Sequence, residues 1–317
     1  MTQVWHGLSE VPADAGATVV TLGNFDGVHR GHQHILRAIV EHANTHSLRA
    51  VALTFDPHPR TVHMPDDSTE LITGLDDRIA YMAQTGLDAI VVQRYDMEFA
   101  RQSPEDFVHN AFVDNLRAAH VVVGADTRFG RDNVGDAETL RSLGAQAGFT
   151  VDVVDHVDES GVPHERPWSS SWVREALDKG HVATAAKILG RPHRVRGTVV
   201  SGEALGRTLG FPTANIDVTA GKIPGPGVYA GLLSIDGFDR ALPTAVSLGI
   251  NYTVGAHAQT LEAHVVGMDT GDIYGREVAL DFLEYRRPML DFGSLDALTA
   301  ALAEDADWVA EVCAAHE

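Results

Sequence analysis

The sequence predicts an α/β protein in which a doubly wound parallel-sheet domain is followed by an antiparallel β-barrel. Through the first half of the chain, short apolar runs alternate with helical patterns. After about residue 190, strand-like runs follow one another with turns rich in Gly, Pro and Asp between them. The length of 317 residues is enough for two hydrophobic cores. We therefore predict two domains, residues 1–187 and residues 188–317.

Strands and helices alternate in the first predicted domain. Each predicted strand is a near-continuous apolar run, as expected for a sheet that is covered on both faces. Strands separated by helices in this way indicate βαβ units and a parallel sheet. The predicted strands are residues 17–23, 50–55, 89–93, 120–126 and 149–155, and the predicted helices are residues 32–46, 76–84, 104–116 and 137–148.

The second half has a different pattern. Two short helices in residues 169–190 end at Gly190, and Pro192 just beyond them is a stop signal. The strand-like runs that follow are separated by turns and not by helices, which favours an antiparallel barrel. A helical pattern at residues 294–316 closes the chain. The predicted barrel strands are residues 194–202, 228–236, 243–250, 261–268 and 276–285.

The charge of the chain limits its partners. The formal net charge is −20, from 24 basic and 44 acidic residues, and this opposes attraction to the phosphate backbone of nucleic acids. A small polyphosphate held by a few local groups remains compatible with it. No run of about 18 apolar residues predicts a membrane span, and the start of the chain lacks a signal-peptide pattern. We expect a cytoplasmic protein that binds neither nucleic acid nor membrane; the oligomeric state is not derivable.

The stretch GNFDGVHRGH, from Gly23 to His32, lies where the first predicted strand becomes a helix. The backbone N–H groups at a helix start bind phosphate, and the glycines allow a ligand to approach closely. A helix that begins near His29 places His29 and His32 on its first turn, where both can donate hydrogen bonds to one anion. The alternatives are two surface histidines on an ordinary helix, or metal ligation.

This stretch resembles the HxGH signature of nucleotidylyltransferases, and its extended form is similar to that of bacterial FAD synthetases. The resemblance implies a Rossmann-like nucleotidylyltransferase domain that transfers AMP from ATP to FMN. It further implies that His29 and His32 steady the ATP phosphates as catalytic residues. The nucleotide site would be lined by Gly23, Asn24, Phe25 and Asp26.

Two further stretches are similar to segments of the same family. TFDPHPR, Thr54 to Arg60, resembles its TFDPHP segment; alternatively it is only a Pro-rich loop that ends a strand. VVVGADTRFG, Val121 to Gly130, resembles its GxNFxFG segment, with Asp126 in place of Asn and Thr127 in place of an aromatic residue. The resemblance implies that Asp126 lies at the ATP site. It places four residues at the flavin: Asp56, Pro57, His58 and Pro59.

RPWSSSWVREAL, Arg166 to Leu177, resembles the family's ISSTxVR signature. Hydroxyls at a predicted N-cap and Arg174 one turn later can converge on a β,γ-phosphate. The alternative is a serine N-cap and a solvated arginine. The residues that the resemblance implies for ATP binding here are Ser169, Ser170, Ser171 and Arg174, with Ser171 replacing the usual Thr.

A second set of motifs resembles riboflavin kinases. GEALGRTLGFPTANI, Gly202 to Ile216, offers backbone N–H groups, a hydroxyl and an amide that suit Mg²⁺ and phosphate; alternatively it is a turn and an edge strand. It is similar to the GRxLGFPTAN signature of those enzymes, which implies that Thr213 and Asn215 hold Mg²⁺ and ATP. The same likeness extends the ATP site to Gly206, Arg207, Gly210 and Pro212.

Glu262, in TLEAHVVGMDTGDIYGREV, occupies the position of the kinase family's catalytic glutamate. A kinase that acts on an alcohol benefits from a base that accepts the hydroxyl proton. A single Glu on a solvated strand face is the alternative. Tyr252 and Val254 depart from the family's NPTFG segment, in a loop that the resemblance sets beside the flavin.

The motifs follow one another in the order of bacterial bifunctional enzymes of FAD biosynthesis. The resemblance implies that the barrel phosphorylates riboflavin to FMN with ATP and Mg²⁺. It implies that the first domain then adenylylates FMN to FAD and releases pyrophosphate. The alternatives are an enzyme that retains one of the two activities, motivated by Thr127, Tyr252 and Val254, and a flavin-binding regulator without turnover.

Overall fold

The computed structural model describes residues 1–64, 70–154, 166–201, 210–251, 258–268 and 270–316. The chain divides into two compact units. The first comprises Met1–Thr69 and Leu75–Ser169, and the second comprises Glu70–Gly74 and Ser170–Glu317. The helices between residues 170 and 189 group with the second unit by this division, and the boundary at 187/188 stays a prediction.

A parallel sheet forms the centre of the first unit. Within the described residues its strands are β1 (Gln3–Trp5), β2 (Thr18–Leu22), β3 (Arg49–Asp56), β4 (Ala89–Arg94), β5 (Ala118–Gly124) and β6 (Thr150–Val154). They lie in the order β1-β4-β3-β2-β5-β6. Every neighbouring pair is parallel. The predicted doubly wound α/β architecture is confirmed.

Helices cover both faces of this sheet. They are α1 (Arg30–His46), α2 (Pro59–His63), α3 (Leu75–Ala83), α4 (Pro104–Phe107) and α5 (Ala137–Ala147), and a π-helix, Val108–Asn115, continues from α4. Alternate strand residues point to opposite faces, so the sheet has two cores. Val20 packs with Phe112 and Phe149 on one face. Val19 packs with Leu36 and Ile39 of α1 on the other.

The second unit contains a closed antiparallel barrel. Its described strands are β7 (His193–Val200), β8 (Ala214–Ala220), β9 (Gly227–Ile235), β10 (Leu242–Asn251), β11 (Ala258–Val265) and β12 (Glu277–Arg287). They close in the order β10-β11-β8-β7-β12-β9. Helices α6 (Ser170–Asp178) and α7 (Val182–Leu189) precede the barrel, and α8 (Leu295–Ala314) follows it. The predicted barrel and terminal helix are therefore confirmed.

Helix α8 covers one side of the barrel. Ser294 caps it by accepting a hydrogen bond from the Ala297 N–H, at 3.2 Å. Its apolar residues Val309, Val312 and Cys313 pack against Ala230 of β9 and Leu283 of β12. An ion pair of 2.6 Å joins Arg287 of β12 to Asp305, which is 3% exposed, and so ties the strand to the helix as well.

The backbone of β8 lies close to Gly197 of β7. A Cβ atom at this position would lie 2.3 Å from the Asp217 carbonyl oxygen and 2.6 Å from Ile216 Cγ2. We predict that Gly197→Ala lowers the free energy of unfolding of the barrel by about 1–3 kcal/mol, because the two strands must separate. Urea unfolding followed by circular dichroism measures this change.

Gly249→Ala on β10 is the matched control, because the nearest atom to its Cβ would be the Thr260 hydroxyl oxygen at 3.2 Å. This hydroxyl can rotate away, whereas the backbone beside Gly197 cannot. Equal destabilisation by the two substitutions would contradict the steric argument.

Candidate functional site

The first candidate site lies at the carboxyl ends of β2 and β5. The chain runs from β2 to β3 and β4 on one side of the sheet, and to β5 and β6 on the other. The sheet order therefore reverses between β2 and β5. In open α/β sheets, ligands bind outside the carboxyl ends of the strands at such a switch point. Gly23 follows β2 and Gly124 ends β5, so both predicted nucleotide motifs begin here.

The turn from β2 to α1 has an unusual backbone. Phe25, Gly27 and Val28 all have positive φ angles, of 49°, 79° and 39°. A β-branched residue such as Val28 rarely adopts this conformation. Burial holds the turn in place, since Phe25 is 2% exposed and Val28 is fully buried. Local strain of this kind persists where packing over-determines it, and it is concentrated at functional sites.

His29 and His32 flank the start of α1. His29 is the N-cap, and its Nδ1 atom accepts a hydrogen bond of 3.4 Å from the His32 N–H. Because Nδ1 is the acceptor, the neutral His29 ring carries its proton on Nε2. The two rings stack with centroids 3.7 Å apart. The structure therefore brings both predicted histidines together at a helix N-terminus, where anions bind.

Burial determines the protonation state of His32. It lowers the pKa of His32 from 6.5 to about 3, so the ring is neutral at neutral pH. The edge of Phe25 packs against it, with ring centroids 5.3 Å apart. The buried Nδ1 atom of His32 has no hydrogen-bond partner among the described residues. A buried polar atom without a partner requires an explanation, and a bound ligand is one.

Gly31 allows the first turn of α1 to pack closely. A Cβ here would lie 3.2 Å from the His29 ring and 3.3 Å from the Trp168 carbonyl oxygen. The guanidinium of Arg30 lies over the Trp168 ring, 5.7 Å from its centroid. A larger residue at position 31 would therefore press against the His29 ring and the Trp168 carbonyl oxygen.

Arg78 of α3 holds the strand ends at this site, and sequence analysis did not identify it. Its side chain is 1% exposed. It donates to the carbonyl oxygens of Asn24, at 3.1 Å, and of Phe55, at 2.9 Å. It also lies 3.6 Å from the Asp56 carboxylate. Burial lowers the pKa of Arg78, and Asp56 and Asp26 oppose this shift. The only sequence signal was a basic residue on the buried side of a helical pattern.

The predicted flavin-side residues lie at the end of β3 and directly after it. The Asp56–Pro57 peptide bond is cis. His58 is the N-cap of α2 and its Nδ1 accepts a hydrogen bond of 3.1 Å from the Arg60 N–H, while Pro59 is the first residue of the helix. Asp56 and Asn24 are both near the Arg78 guanidinium, which links this segment to the turn after β2.

Asp126 lies on the turn after β5. The Thr127 N–H donates to the Gly124 carbonyl oxygen at 3.0 Å, which closes the turn. The Asp126 Oδ1 atom lies 3.0 Å from the position that a Cβ of Gly124 would take. A side chain at position 124 would therefore displace the Asp126 carboxylate.

The serine motif lies at the start of α6. Ser169 precedes the helix, and Ser170 and Ser171 are in its first turn. Within the second unit, the Nε of Arg174 donates to the Glu70 carbonyl oxygen at 3.3 Å. The histidines belong to the first unit. That these serines and Arg174 share an anion with His29 and His32 stays a prediction.

The second candidate site lies on the barrel. Glu262 of β11 is directly opposite Asn215 of β8 and, on its other side, Ser247 of β10. Directly paired residues of antiparallel strands have side chains on the same face. The structure therefore brings together the predicted base and one predicted Mg²⁺ ligand from positions 47 apart in the sequence. Ser247 is a third polar side chain of this face, and only the strand register reveals it.

A cavity of about 690 Å³ opens beside this strand pair. The predicted residues Gly210, Pro212 and Thr213 line it. His264 lines it too, and its Nδ1 lies 2.8 Å from the Pro212 carbonyl oxygen. A carbonyl oxygen only accepts, so the His264 ring donates and holds the segment that carries Thr213. Four predicted or flagged residues lie outside the described residues: Gly206, Arg207, Tyr252 and Val254.

Two family models match the chain. The model described as FAD synthetase matches residues 11–165, and the model described as riboflavin kinase matches residues 189–313. Together the matches include both candidate sites, with His29 and His32 in the first and Asn215 and Glu262 in the second. The serine motif at residues 169–171 falls between them.

Curated relatives match nearly the whole chain. A bifunctional riboflavin kinase/FMN adenylyltransferase of Escherichia coli strain K12 is 35% identical over 95% of this chain and 93% of its own length. One of Pseudomonas fluorescens is 34% identical over 96% of this chain and 95% of its own length.

A solved structure has the same overall fold. It is 29% identical, covers 96% of this chain and 97% of its own length, and has a TM-score of 0.85. That structure is described as a macrolide-efflux protein from Streptococcus pneumoniae. Among the residues described, no helix has the length and apolar character that crossing a membrane requires. The cytoplasmic location stays a prediction.

The low pKa of His32 predicts a pH dependence of stability. Between about pH 6.5 and pH 3 the unfolded chain binds a proton at His32 that the folded protein does not bind. The free energy of unfolding therefore falls as the pH drops below about 6.5, by up to about 1.4 kcal/mol per pH unit from this residue. His32→Gln should remove this part of the slope in urea unfolding measured from about pH 7 to about pH 5.

His34→Gln, an exposed histidine of the same helix, is the matched control and should leave the slope as in the wild type. If His32→Gln and the wild type had the same slope, His32 would be protonated in the folded protein and the argument from burial would be wrong.

Proposed function

We propose that each candidate site carries out one of two reactions, since this chain belongs to the family of bifunctional riboflavin kinase/FMN adenylyltransferases. The barrel transfers the γ-phosphoryl group of ATP to the 5′-hydroxyl of riboflavin, which gives FMN. The parallel-sheet unit joins the phosphate of FMN to the AMP part of a second ATP, which gives FAD and pyrophosphate. Matches to both family models favour this over an enzyme with one activity.

The observation that supports adenylyl transfer is the His29–His32 pair at the start of α1. The α-phosphorus of ATP is attacked by an oxygen of the FMN phosphate, and the bond to the pyrophosphate oxygen breaks with its electron pair. Negative charge develops on the leaving pyrophosphate. Backbone N–H groups at the helix start and ring N–H groups of the two histidines stabilise that charge without reorganisation. We assign these rings to the phosphates because the buried Nδ1 of His32 lacks a protein partner among the described residues.

The remaining residues of the first reaction are assigned from their place in the motifs. Gly23 and Asn24 follow β2 at the switch point, with Phe25 and Asp26 in the turn. Arg78 fixes this turn through the Asn24 carbonyl oxygen, and it acts as a positioning residue. Asp126, the serines at 169–171 and Arg174 complete the predicted ATP site. Asp56, Pro57, His58 and Pro59 are assigned to FMN.

The opposed pair of Glu262 and Asn215 supports the kinase reaction. The oxygen of the riboflavin 5′-hydroxyl attacks the γ-phosphorus, and its proton passes to the Glu262 carboxylate. The bond between the γ-phosphorus and the bridging oxygen breaks, and ADP leaves with the electron pair. Proton removal by a positioned carboxylate contributes about 10²–10⁴ to the rate of such reactions. Thr213, at the adjacent cavity, is assigned to the ATP phosphates together with Gly206, Arg207, Gly210 and Pro212.

The donors of the barrel site fit Mg²⁺. The Thr213 hydroxyl and the Asn215 amide oxygen are hard oxygen ligands, which Mg²⁺ prefers together with water and phosphate oxygens. When bound, Mg²⁺ would neutralise charge on the ATP phosphates. Thr213 and Asn215 orient the nucleotide, while Glu262 holds the proton of the attacking hydroxyl.

Substitution of His32 separates the two reactions. We predict that His32→Ala lowers the rate of FAD formation from supplied FMN and ATP at least about 100-fold, because donors to the developing charge are lost. FMN formation from riboflavin should stay close to the wild-type rate. Chromatography of the flavin products measures both rates in one sample.

His34→Ala is the control for this experiment, since His34 is exposed on the same helix. It should leave both rates unchanged. Equal loss of both activities in a folded His32→Ala protein would refute the assignment of separate sites.

Glu262→Gln should impair FMN formation and leave FAD formation intact, the reverse of His32→Ala. The amide keeps the shape of the side chain but is not a base, so FMN formation should fall at least about 100-fold. FAD formation from supplied FMN should be unaffected. The control is Glu284→Gln, an exposed glutamate of β12. If Glu262→Gln retained full kinase activity, Glu262 would not be the base.

A further inference from the structure

Three side chains meet on the first unit at a distance from the residues assigned to either reaction. They are His42 of α1, His120 of β5 and Asp152 of β6. His42 lies thirteen residues after His29 on the same helix, which corresponds to about 20 Å along its axis. His120 is near the amino end of β5, whereas Asp126 follows the carboxyl end. The group therefore lies towards the amino ends of the strands, whereas the proposed nucleotide site lies at their carboxyl ends.

The ligand atoms of these side chains are already close together. One nitrogen from each histidine and one carboxylate oxygen all lie within 4.8 Å of one another. The His42 and His120 rings stack with centroids 3.8 Å apart and planes at 10°. The His120 Nε2 atom lies 3.2 Å from Asp152 Oδ2. Ligands of a tetrahedral Zn²⁺ with bonds of about 2.0–2.2 Å lie about 3.3 Å apart, so the atoms are near this spacing, and rotation of the His42 ring out of the stack would direct its lone pair at the ion.

His120 is oriented as a metal ligand. It is 5% exposed, and its Nδ1 lies 2.6 Å from the Thr150 hydroxyl oxygen. Its Nε2 is buried and has no hydrogen-bond partner among the described residues, although Asp152 Oδ2 lies 3.2 Å away. In metal sites a second-shell oxygen holds one ring nitrogen of a histidine so that the other binds the metal. Thr150 is placed to do this, and a cation between Nε2 and the carboxylate would satisfy both.

The ligand types of this group decide which ion it suits. Two imidazoles and one carboxylate suit Zn²⁺ and similar transition-metal ions, whereas Mg²⁺ prefers oxygen ligands. The chemistry of this group differs from that of Thr213 and Asn215 at the barrel.

We propose that His42, His120 and Asp152 form a binding site for Zn²⁺ or a similar divalent transition-metal ion, with water as the fourth ligand. The ion links α1 to β5 and β6, elements that otherwise meet through their apolar faces. The unfolded chain has no preformed site for this ion. Because the ion binds only the folded chain, it stabilises the first unit. Its role is structural, since the three ligands lie on elements remote from the reacting phosphates.

Titration of the metal-free full-length protein with Co²⁺ and then Zn²⁺ tests the site. Co²⁺ in a four-coordinate site with nitrogen ligands gives an intense visible absorption, and Zn²⁺ should abolish it by displacement. His42→Gln and Asp152→Asn each remove one ligand and leave the buried His120 in place. We expect the absorption to be lost and the affinity for Zn²⁺ to fall at least about 10-fold in both variants. His34→Gln, with its exposed ring on α1, should bind as the wild type does.

Thermal unfolding provides an independent measurement. Zn²⁺ should raise the melting temperature of the wild type and of His34→Gln but not of the two ligand variants, and Mg²⁺ should have no such effect. FAD formation with saturating Mg²⁺ and ATP should be unchanged in Asp152→Asn, which shows that this variant folds. Equal Zn²⁺ affinity and equal thermal shifts in the wild type and both folded ligand variants would overturn the proposal, as would an absence of Zn²⁺ binding by the wild type.

Discussion

The buried guanidinium of Arg78 is the group on which the geometry of the first site depends. It joins the Asn24 carbonyl oxygen after β2 to the Phe55 carbonyl oxygen near the end of β3, and it lies beside the Asp56 carboxylate. Loss of this side chain would leave both carbonyl oxygens without this donor, at about 1–3 kcal/mol for a buried acceptor. The ends of two central strands are thus fixed to each other by a helix that follows both of them in the sequence.

This anchor explains how a strained turn can persist at the strand-to-helix junction. Positive φ angles at Phe25 and Val28 each cost of order 1–3 kcal/mol. Burial of both side chains and the fixed position of Asn24 offset that cost. The turn fixes the position of the two histidines. His29 caps α1, and its ring stacks on the His32 ring with centroids 3.7 Å apart. Phosphoryl and adenylyl transfers require the reacting groups to be aligned within about 1 Å, and a rigid turn provides this alignment.

The alternation of strands and helices could be predicted because it is a local pattern, and so could the motifs by which the chain resembles its family. The π-helix at Val108–Asn115 could not, since its apolar spacing is also that of the α-helix that was predicted there. Strand β1 is three residues long and too short for a periodicity. Arg78 and the group around His120 depend on side chains distant in the sequence. The pairing of Glu262 with Asn215 likewise required the register of β8 and β11.

The chain carries a net charge of −20 and yet has motifs for several phosphate groups. At physiological salt the Debye length is about 8 Å, so surface carboxylates farther than this from the site oppose the approach of ATP only weakly. Attraction must then come from donors in direct contact. The Arg78 guanidinium donates to two carbonyl oxygens, and His32 is neutral. The donors of the proposed first site are therefore the α1 N-terminus, the ring N–H groups and the Arg174 guanidinium. Such donors act at hydrogen-bond distance, where alignment with the reacting phosphate decides the strength of the contact.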